Sequence, residues 1–137
     1  MENLLEIKKL NPCNSEILSP IPLKVLTNEK GKAIFLNSTS SINTIAFVEF
    51  FPNGTPRGNH FHNTKREILY IIEGKLEFYY WIHLEEKIKS TILESGHLII
   101  IEPKLAHAYK AIERTIGFEM GTIEFNPEDT EYDPRIK

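Results

Sequence analysis

The chain has 137 residues, 41% of them hydrophobic, so it is long enough for one domain with a substantial core and too short for two. A formal net charge of -3 and the lack of any basic run exclude an electrostatic footprint for nucleic acid. The single cysteine, Cys13, excludes an intrachain disulfide framework. The N-terminus lacks a secretory signal and no apolar run reaches membrane-spanning length, so we expect a soluble, cytoplasmic protein with no membrane partner.

The first elements are separated by proline and glycine. Three prolines break residues 1–22, and we expect this segment to be an arm or edge strand packed against the domain or a partner. A hairpin follows, with its turn at residues 28–31. Residues 42–51 are rich in β-branched and aromatic side chains and predict a strand, which ends at a Pro-Asn-Gly turn.

The remaining apolar runs are short and are separated by turn residues. In chain order they are EILYIIE, KLEFYYWIHL, KSTILE, HLIIIE, HAYKAI and TIGFEMGTIEF. We expect Gly74 and Gly96 to supply positive φ at hairpin corners between runs. Short strands at this spacing predict an antiparallel all-β sandwich or barrel over residues 23–126, with residues 127–137 as a closing tail.

Residues 58–74, GNHFHNTKREILYIIEG, hold the most informative pattern. His60 and His62 are two residues apart, so in a strand they project from the same face. Glu67 starts the next apolar run and reaches them if the two strands are neighbours. Two imidazoles and a carboxylate suit a divalent metal such as Zn, Fe, Ni or Mn, and His107 is the candidate for a further ligand.

The spacing of these residues resembles the first motif of the cupin superfamily. The matching positions, with five, one, four and six residues between them, are Gly54, His60, His62, Glu67 and Gly74. A weaker match to the second motif consists of Gly96, Pro103 and His107, and it lacks the glycine expected after the proline. The resemblance covers residues 54–111. It implies a double-stranded β-helix, the cupin jelly-roll barrel, as a single domain with an N-terminal arm, and His60, His62, Glu67 and His107 as metal ligands.

Residues around the motifs resemble those of cupins that act on nucleotide-linked sugars: 3,5-epimerases, 3,4-ketoisomerases and the cupin domain of capsular-polysaccharide enzymes. The likeness lies in PRGNHFH, EPKLAHAYKAI and EFNPEDTEYDP. It implies an epimerase or isomerase acting on a nucleotide-linked keto-deoxysugar in polysaccharide biosynthesis. By this resemblance Arg57 contacts the phosphates, His60 removes a proton from the sugar, and Tyr109 or Tyr132 returns one. We also expect Lys65 to bind the substrate.

Two roles compete for His60, because an imidazole nitrogen bound to a metal has no lone pair left to act as a base. The 3,5-epimerases, which work without a metal, carry one histidine and a glutamine where this chain has His60 and His62. If His60 is a ligand, the base comes from elsewhere, with Glu77, Tyr79, His83 and a metal-bound hydroxide as candidates.

Three functional classes therefore stay open at this point. The first is the nucleotide-sugar epimerase or isomerase. The second is a metal-dependent oxygenase or other small-molecule cupin enzyme, since histidines and a carboxylate with open positions bind iron and oxygen. The third is a sugar- or metal-binding module without turnover. The apolar, proline-broken N-terminal segment and the resemblance to cupins also predict a homodimer.

Overall fold

The computed structural model describes residues 5–9, 23–36 and 41–137. The strands within these ranges are β1 (Leu5–Lys9), β2 (Leu23–Asn28), β3 (Gly31–Leu36), β4 (Thr44–Phe50), β5 (Arg57–His62), β6 (Glu67–Ile82), β7 (Ile88–Glu94), β8 (His97–Ile101), β9 (Leu105–Gly121) and β10 (Thr130–Tyr132). A short 3₁₀ helix, Pro127–Asp129, precedes β10. Among the described residues, no helix has the length and apolar character that a membrane crossing requires.

Two long strands, β6 and β9, build the fold because each belongs to both layers of a β-sandwich. The first half of β6 pairs with β8 and with the second half of β9, which also pairs with β4. The second half of β6 pairs with β7 and with the first half of β9, which also pairs with β5. With β1 beside β8 and β10 beside β5, the first layer is β1-β8-β6-β9-β4 and the second is β7-β6-β9-β5-β10. All of these pairings are antiparallel.

The bend that carries β6 from one layer to the other lies at Gly74. Its backbone has a φ of +110°, and the register with β9 shifts between Ile71 and Leu76. A Cβ at Gly74 would lie 2.5 Å from the carbonyl oxygen of Arg114, so only glycine fits. The prediction of a hairpin corner at Gly74 is therefore wrong, because the strand continues through it. Gly96 does lie in a turn, between β7 and β8, with a φ of +90°.

The core fills the space between the layers with alternate side chains of the long strands and their neighbours. The buried members of this cluster are Val48, Phe50, Leu69, Ile71, Leu76, Phe78, Leu93, Ile99, Ile101, Leu105 and Tyr109. Polar residues at other inward positions of the same strands form the candidate site described below.

The outer face of the first layer is also apolar, and the β2–β3 hairpin covers part of it. Ile34 and Leu36 of β3 pack against a buried cluster that includes Ile68 and Leu98. The hairpin predicted around residues 28–31 is confirmed, with Asn28 opposite Gly31.

Strand β1 and the C-terminal tail lie on opposite layers. Of the predicted arm, the structure describes residues 5–9, which pair as an edge strand with β8; the rest of that prediction lies outside the described residues. The tail forms the 3₁₀ helix and β10, and its last residues cross the outer face of the second layer. There Ile136 packs against a cluster that contains Phe61 and Trp81.

Candidate active site

Strand β5 directs His60 and His62 into the space between the layers, and β9 directs His107 toward them. His60 lies opposite His107 in the strand register. The ring centres of His60 and His62 are 4.9 Å apart, and that of His107 lies 5.1 Å from His60 and 6.0 Å from His62. One ring nitrogen from each histidine lies within 4.8 Å of the other two. Three histidines that the sequence singled out therefore converge.

The orientation of the His107 ring follows from its hydrogen bond to the backbone. Nδ1 lies 3.0 Å from the carbonyl oxygen of Leu105, and because a carbonyl only accepts, Nδ1 donates. This leaves Nε2 facing Oε2 of Glu67 at 3.2 Å. Both atoms are buried and lack a hydrogen-bond partner among the described residues. Two acceptors at this distance favour a proton or a metal ion between them.

His62 presents the equivalent nitrogen to the same place. Its Nδ1 shares a hydrogen bond of 3.1 Å with the hydroxyl of Thr130, the first residue of β10. Its Nε2 lies 3.9 Å from Oε1 of Glu67 and, like that of His107, is buried without a hydrogen-bond partner in the described part of the chain.

Glu67 supplies the negative charge of the site. Its Oε1 accepts a hydrogen bond from Nζ of Lys65 at 3.3 Å, and that ammonium also donates to Oε1 of Glu119 at 3.1 Å. Burial alone would raise the pKa of Glu67, but the contact with His107, followed by those with Glu119 and Lys65, holds it well below its ordinary value. Glu67 is therefore ionised although it is only 3% exposed.

Glu119 belongs to the site and was missed by the sequence analysis. It lies on β9 at an inward position and lines the same cavity as the histidines. Burial, and then the negative charge of Glu67, raise its pKa to about 7. The available signal was a charged residue within the apolar run TIGFEMGTIEF, but whether it faces a site depends on which strand lies beside it.

Burial also keeps two of the histidines neutral. Burial, followed by the charges of His107 and His62, lowers the pKa of His60 to about 3. The pKa of His62 is lowered too, because burial outweighs the opposing effect of Glu67. At pH 7 both rings are neutral and have a lone pair that a metal ion can use.

The histidines line a cavity of about 460 Å³, which also contains the other residues predicted to act on a substrate. Those residues are Arg57, Lys65, Tyr109 and Tyr132. The Tyr109 hydroxyl is buried without a hydrogen-bond partner among the described residues, and burial raises its pKa well above the ordinary value. Tyr132 lies opposite His60 in the β10–β5 register and is 73% exposed.

Arg57 lies at the border between this cavity and a neighbouring one of about 260 Å³. Its guanidinium carbon is 5.9 Å from the centre of the Phe50 ring, and no described carboxylate lies within ion-pair distance of it. The positive charge is therefore available to an anionic ligand. Phe125, which the sequence analysis did not single out, lines the larger cavity as a highly exposed side chain.

The three side chains offered from the sequence as alternative bases lie outside the cavity. Alternation along β6 sends Glu77 and Tyr79 to the outer face of the second layer. There the Tyr79 hydroxyl donates to Glu77, and this bond raises the pKa of Tyr79 to about 12. The ring of His83 bonds to Asp133 at 3.1 Å. The suggestion that one of these residues is the base is therefore wrong.

No protein-family model and no curated protein matches this sequence. Solved structures do match its fold. A 3,4-ketoisomerase from Helicobacter canadensis is 16% identical, with a TM-score of 0.75 over 94% of this chain and 90% of that one. A mutant of the 3,4-ketoisomerase QdtA from Thermoanaerobacterium thermosaccharolyticum, in complex with TDP-4-keto-6-deoxyglucose, is 13% identical, with a TM-score of 0.73 over 97% of this chain and 90% of that one.

A third match is to a longer protein. The capsular polysaccharide assembling protein CapF from Staphylococcus aureus is 20% identical, with a TM-score of 0.62 over 83% of this chain but only 33% of CapF. At these identities the likeness shows the fold. The chain has the same all-β jelly-roll fold as these proteins, and this is the fold that the resemblance of its motifs to cupins implied.

Proposed function

We propose that the protein is an isomerase that moves the ketone of a nucleotide-linked keto-deoxysugar. The observation that carries the proposal is that His60 and Arg57 face one cavity in a chain whose fold follows 3,4-ketoisomerases over at least 94% of its length. Among the described residues, no carboxylate pairs with Arg57. One of those enzymes was solved with TDP-4-keto-6-deoxyglucose. A base beside the cavity is what proton abstraction next to a ketone requires, and a cation beside it can hold the phosphates of the nucleotide.

His60 is the proposed base. It takes the proton from the carbon next to the ketone while negative charge builds on the carbonyl oxygen. A proton then moves between the two sugar oxygens, and a proton delivered to the former carbonyl carbon completes the transfer of the ketone to its neighbour. No oxidant or reductant is consumed.

Tyr109 and Tyr132 are the proposed proton donors, since both line the cavity. The raised pKa of Tyr109 keeps its buried hydroxyl protonated, whereas Tyr132 exchanges protons with solvent at the mouth. Arg57 is proposed to bind the phosphates, because a guanidinium makes paired hydrogen bonds to phosphate oxygens. Lys65 is proposed to contact the substrate from its position between two carboxylates.

Incubation with TDP-4-keto-6-deoxyglucose in deuterium oxide tests the proposal. We expect NMR to show deuterium at the carbon next to the ketone, and the 3-keto isomer to appear. Replacement of the base in His60→Asn is expected to slow exchange at least about 100-fold. The control His97→Asn changes a histidine outside the cavity and retains exchange. Lack of exchange across a panel of nucleotide keto-sugars would contradict the proposal.

A divalent metal at the same histidines is a second candidate, favoured by the buried Nε2 of His107 facing the Glu67 carboxylate at 3.2 Å. The buried Nε2 atoms of His62 and His107 have no hydrogen-bond partner among the described residues. Together with a ring nitrogen of His60 they form a set of ligand atoms that suits Zn, Fe, Ni or Mn. When bound, such a metal supplies positive charge for a substrate oxygen. His60 is then a ligand, and its lone pair is not available for proton transfer.

Element analysis of the purified protein tests the metal candidate. We expect about one metal ion per chain in wild type and in the control His83→Ala, and a large loss in His62→Ala. Oxygen uptake with ferrous iron would identify the oxygenase alternative. Ligand binding without exchange or oxygen uptake would identify a binding module without turnover. A metal-free wild type would contradict this candidate and leave His60 as the base.

A homodimer and a cytoplasmic location complete the proposal. The dimer is supported by the outer face of the first layer, where Ile45 and Phe47 of β4 and Phe118 of β9 are exposed. Apolar sheet faces of this kind mark association surfaces. The cytoplasmic location is retained from the sequence prediction.

A further inference from the structure

We infer that Asn59 and the C-terminal residues Asp133 to Ile136, here called the strap, position His60 and His62 in the site. The inference rests on the role proposed above for these histidines. Asn59 is absent from the residues that line the cavity, and it is only 5% exposed. Its side chain instead contacts the strap.

Asn59 is an extra residue in β5. In the pairing with β9, Gly58 lies opposite Ala108 and His60 lies opposite His107, so Asn59 has no partner in the register. Its φ of +58° is in the left-handed region, where Asn is tolerated better than most residues. Asn59 is therefore a β-bulge.

The bulge decides which side chains face the cavity. In a regular strand Arg57 would lie on the face opposite to that of His60 and His62, because side chains alternate. With the bulge at Asn59, all three line the same cavity, while Phe61 packs on the outer face. The proposed phosphate-binding cation and the histidine pair thus share one site only because the chain makes this irregular step.

The strap satisfies the hydrogen-bonding groups of Asn59. Its Oδ1 accepts hydrogen bonds from the backbone N–H groups of Arg135 at 3.1 Å and Ile136 at 3.0 Å. Its Nδ2 donates to the carbonyl of Ile136 at 2.9 Å. Its own carbonyl accepts from the backbone N–H of Asp133 at 2.7 Å. The side chain of Asn59 therefore acts as a short length of backbone paired with the strap.

The strap is in turn fixed to the second layer. Oδ2 of Asp133 accepts a hydrogen bond from Nε1 of Trp81 at 2.7 Å. The guanidinium carbon of Arg135 lies 5.7 Å from the centre of the Trp81 ring, and Arg135 also donates to the carbonyl of Glu86 at 3.0 Å. These contacts hold the bulge against β6, so the strap acts on the histidines from the face opposite to the cavity.

Asn59→Gly is the variant that tests this inference, because glycine adopts positive φ and lacks the three side-chain hydrogen bonds. The control Asn28→Gly removes a side-chain bond to the backbone N–H of Lys30, in a hairpin that does not line the cavity. In metal-free protein we expect nuclear Overhauser effects between the rings of His60 and His107. We expect Asn59→Gly to weaken them and Asn28→Gly to leave them unchanged.

Cobalt titration gives a second readout. We expect Asn59→Gly to lower Co²⁺ affinity about tenfold or more and to change the visible spectrum of the bound ion, as is typical when the support of a ligand is lost. The ring contacts need neither metal nor substrate. If the wild type neither binds Co²⁺ nor isomerises the substrate, the proposed function is contradicted. The ring contacts would still show whether Asn59 positions the histidines.

A purely structural role for Asn59 would lower the melting temperature and leave the ring contacts as in wild type, and that result would overturn the inference. If Asn59→Gly does not fold, Asn59→Asp replaces it. The carboxylate keeps the acceptor atom but loses the donation to Ile136. We expect partly weakened ring contacts in this variant, and contacts equal to those of wild type would overturn the inference in the same way.

Discussion

At the scale of single residues, Asp129 connects the 3₁₀ helix to the loop before β6. Its Oδ1 accepts hydrogen bonds from the backbone N–H and the hydroxyl of Thr64, at 2.9 and 2.7 Å, and its Oδ2 accepts from the backbone N–H of Lys65 at 3.0 Å. Burial alone would raise the pKa of Asp129, but these bonds outweigh it and lower the pKa below the ordinary 3.8. The ionised form is therefore favoured in the folded protein.

We expect Asp129→Asn to lower the free energy of unfolding by about 1–2 kcal/mol at pH 7, because an amide is a weaker acceptor than a carboxylate. A carboxyl group whose pKa is lower in the folded than in the unfolded protein stabilises the fold fully at pH values above its unfolded pKa. This contribution is lost as the pH falls through its pKa in the folded protein. The difference between wild type and variant should therefore shrink below about pH 4. Urea denaturation at several pH values measures it, and a difference that persists unchanged to pH 3 would contradict the assignment.

The candidate site was only partly predictable at this scale. Alternation along a strand was enough to place His60 and His62 on one face. The same rule would put Arg57 on the other face, and only the bulge at Asn59 brings it into the cavity. The place of Glu119 in the site was not predicted, because a single acidic residue in an apolar strand indicates a site only when its spatial neighbour, here Glu67, is known.

At the scale of elements, the sequence predicted the strands but not their continuity. A glycine within an apolar run signals a turn or a bend equally well, and the choice depends on the pairing partner. At Gly74 the partner is β9, about 40 residues further along the chain. The runs HAYKAI and TIGFEMGTIEF were likewise expected as separate strands, and β9 contains the first run and the TIGFEMG part of the second. Long-range pairing of this kind cannot be derived from local composition.

The bend at Gly74 leads to a prediction about stability. Gly74 and Gly31 both have positive φ, at +110° and +129°, but only Gly74 is crowded. A Cβ at Gly74 would meet the Arg114 carbonyl at 2.5 Å, whereas a Cβ at Gly31 meets nothing within 4 Å. We expect Gly31→Ala to lower the unfolding free energy by about 1–2 kcal/mol from backbone strain alone. Gly74→Ala adds overpacking and should cost at least about 3 kcal/mol.

Chemical denaturation of both variants separates the two effects. A difference between them of less than about 1 kcal/mol would show that β9 moves aside at little cost. The bend would then not depend on glycine, and the two layers would tolerate a wider separation at this point.

At the scale of the whole molecule, the first layer has apolar side chains on both of its faces. Its inner face packs into the core, and the β2–β3 hairpin covers one part of the outer face. On the rest, Ile45 is 70% exposed, Phe47 59% and Phe118 42%, and the rings of Phe47 and Phe118 pack edge to face at 6.1 Å. Among the described residues, β4 pairs with β9 on one side and with no strand on the other. An exposed edge beside exposed aromatic rings favours association.

We therefore expect the protein to sediment as a dimer at micromolar concentration, and Phe47→Glu to weaken that dimer at least about tenfold, because the charge loses its hydration in the contact. The control Leu84→Glu also replaces an exposed apolar residue, 87% exposed, but in the loop after β6. It should leave the dimer intact. Equal weakening by both variants would show that net charge, not this face, governs association. A wild type that sediments as a monomer would leave the face without the proposed role.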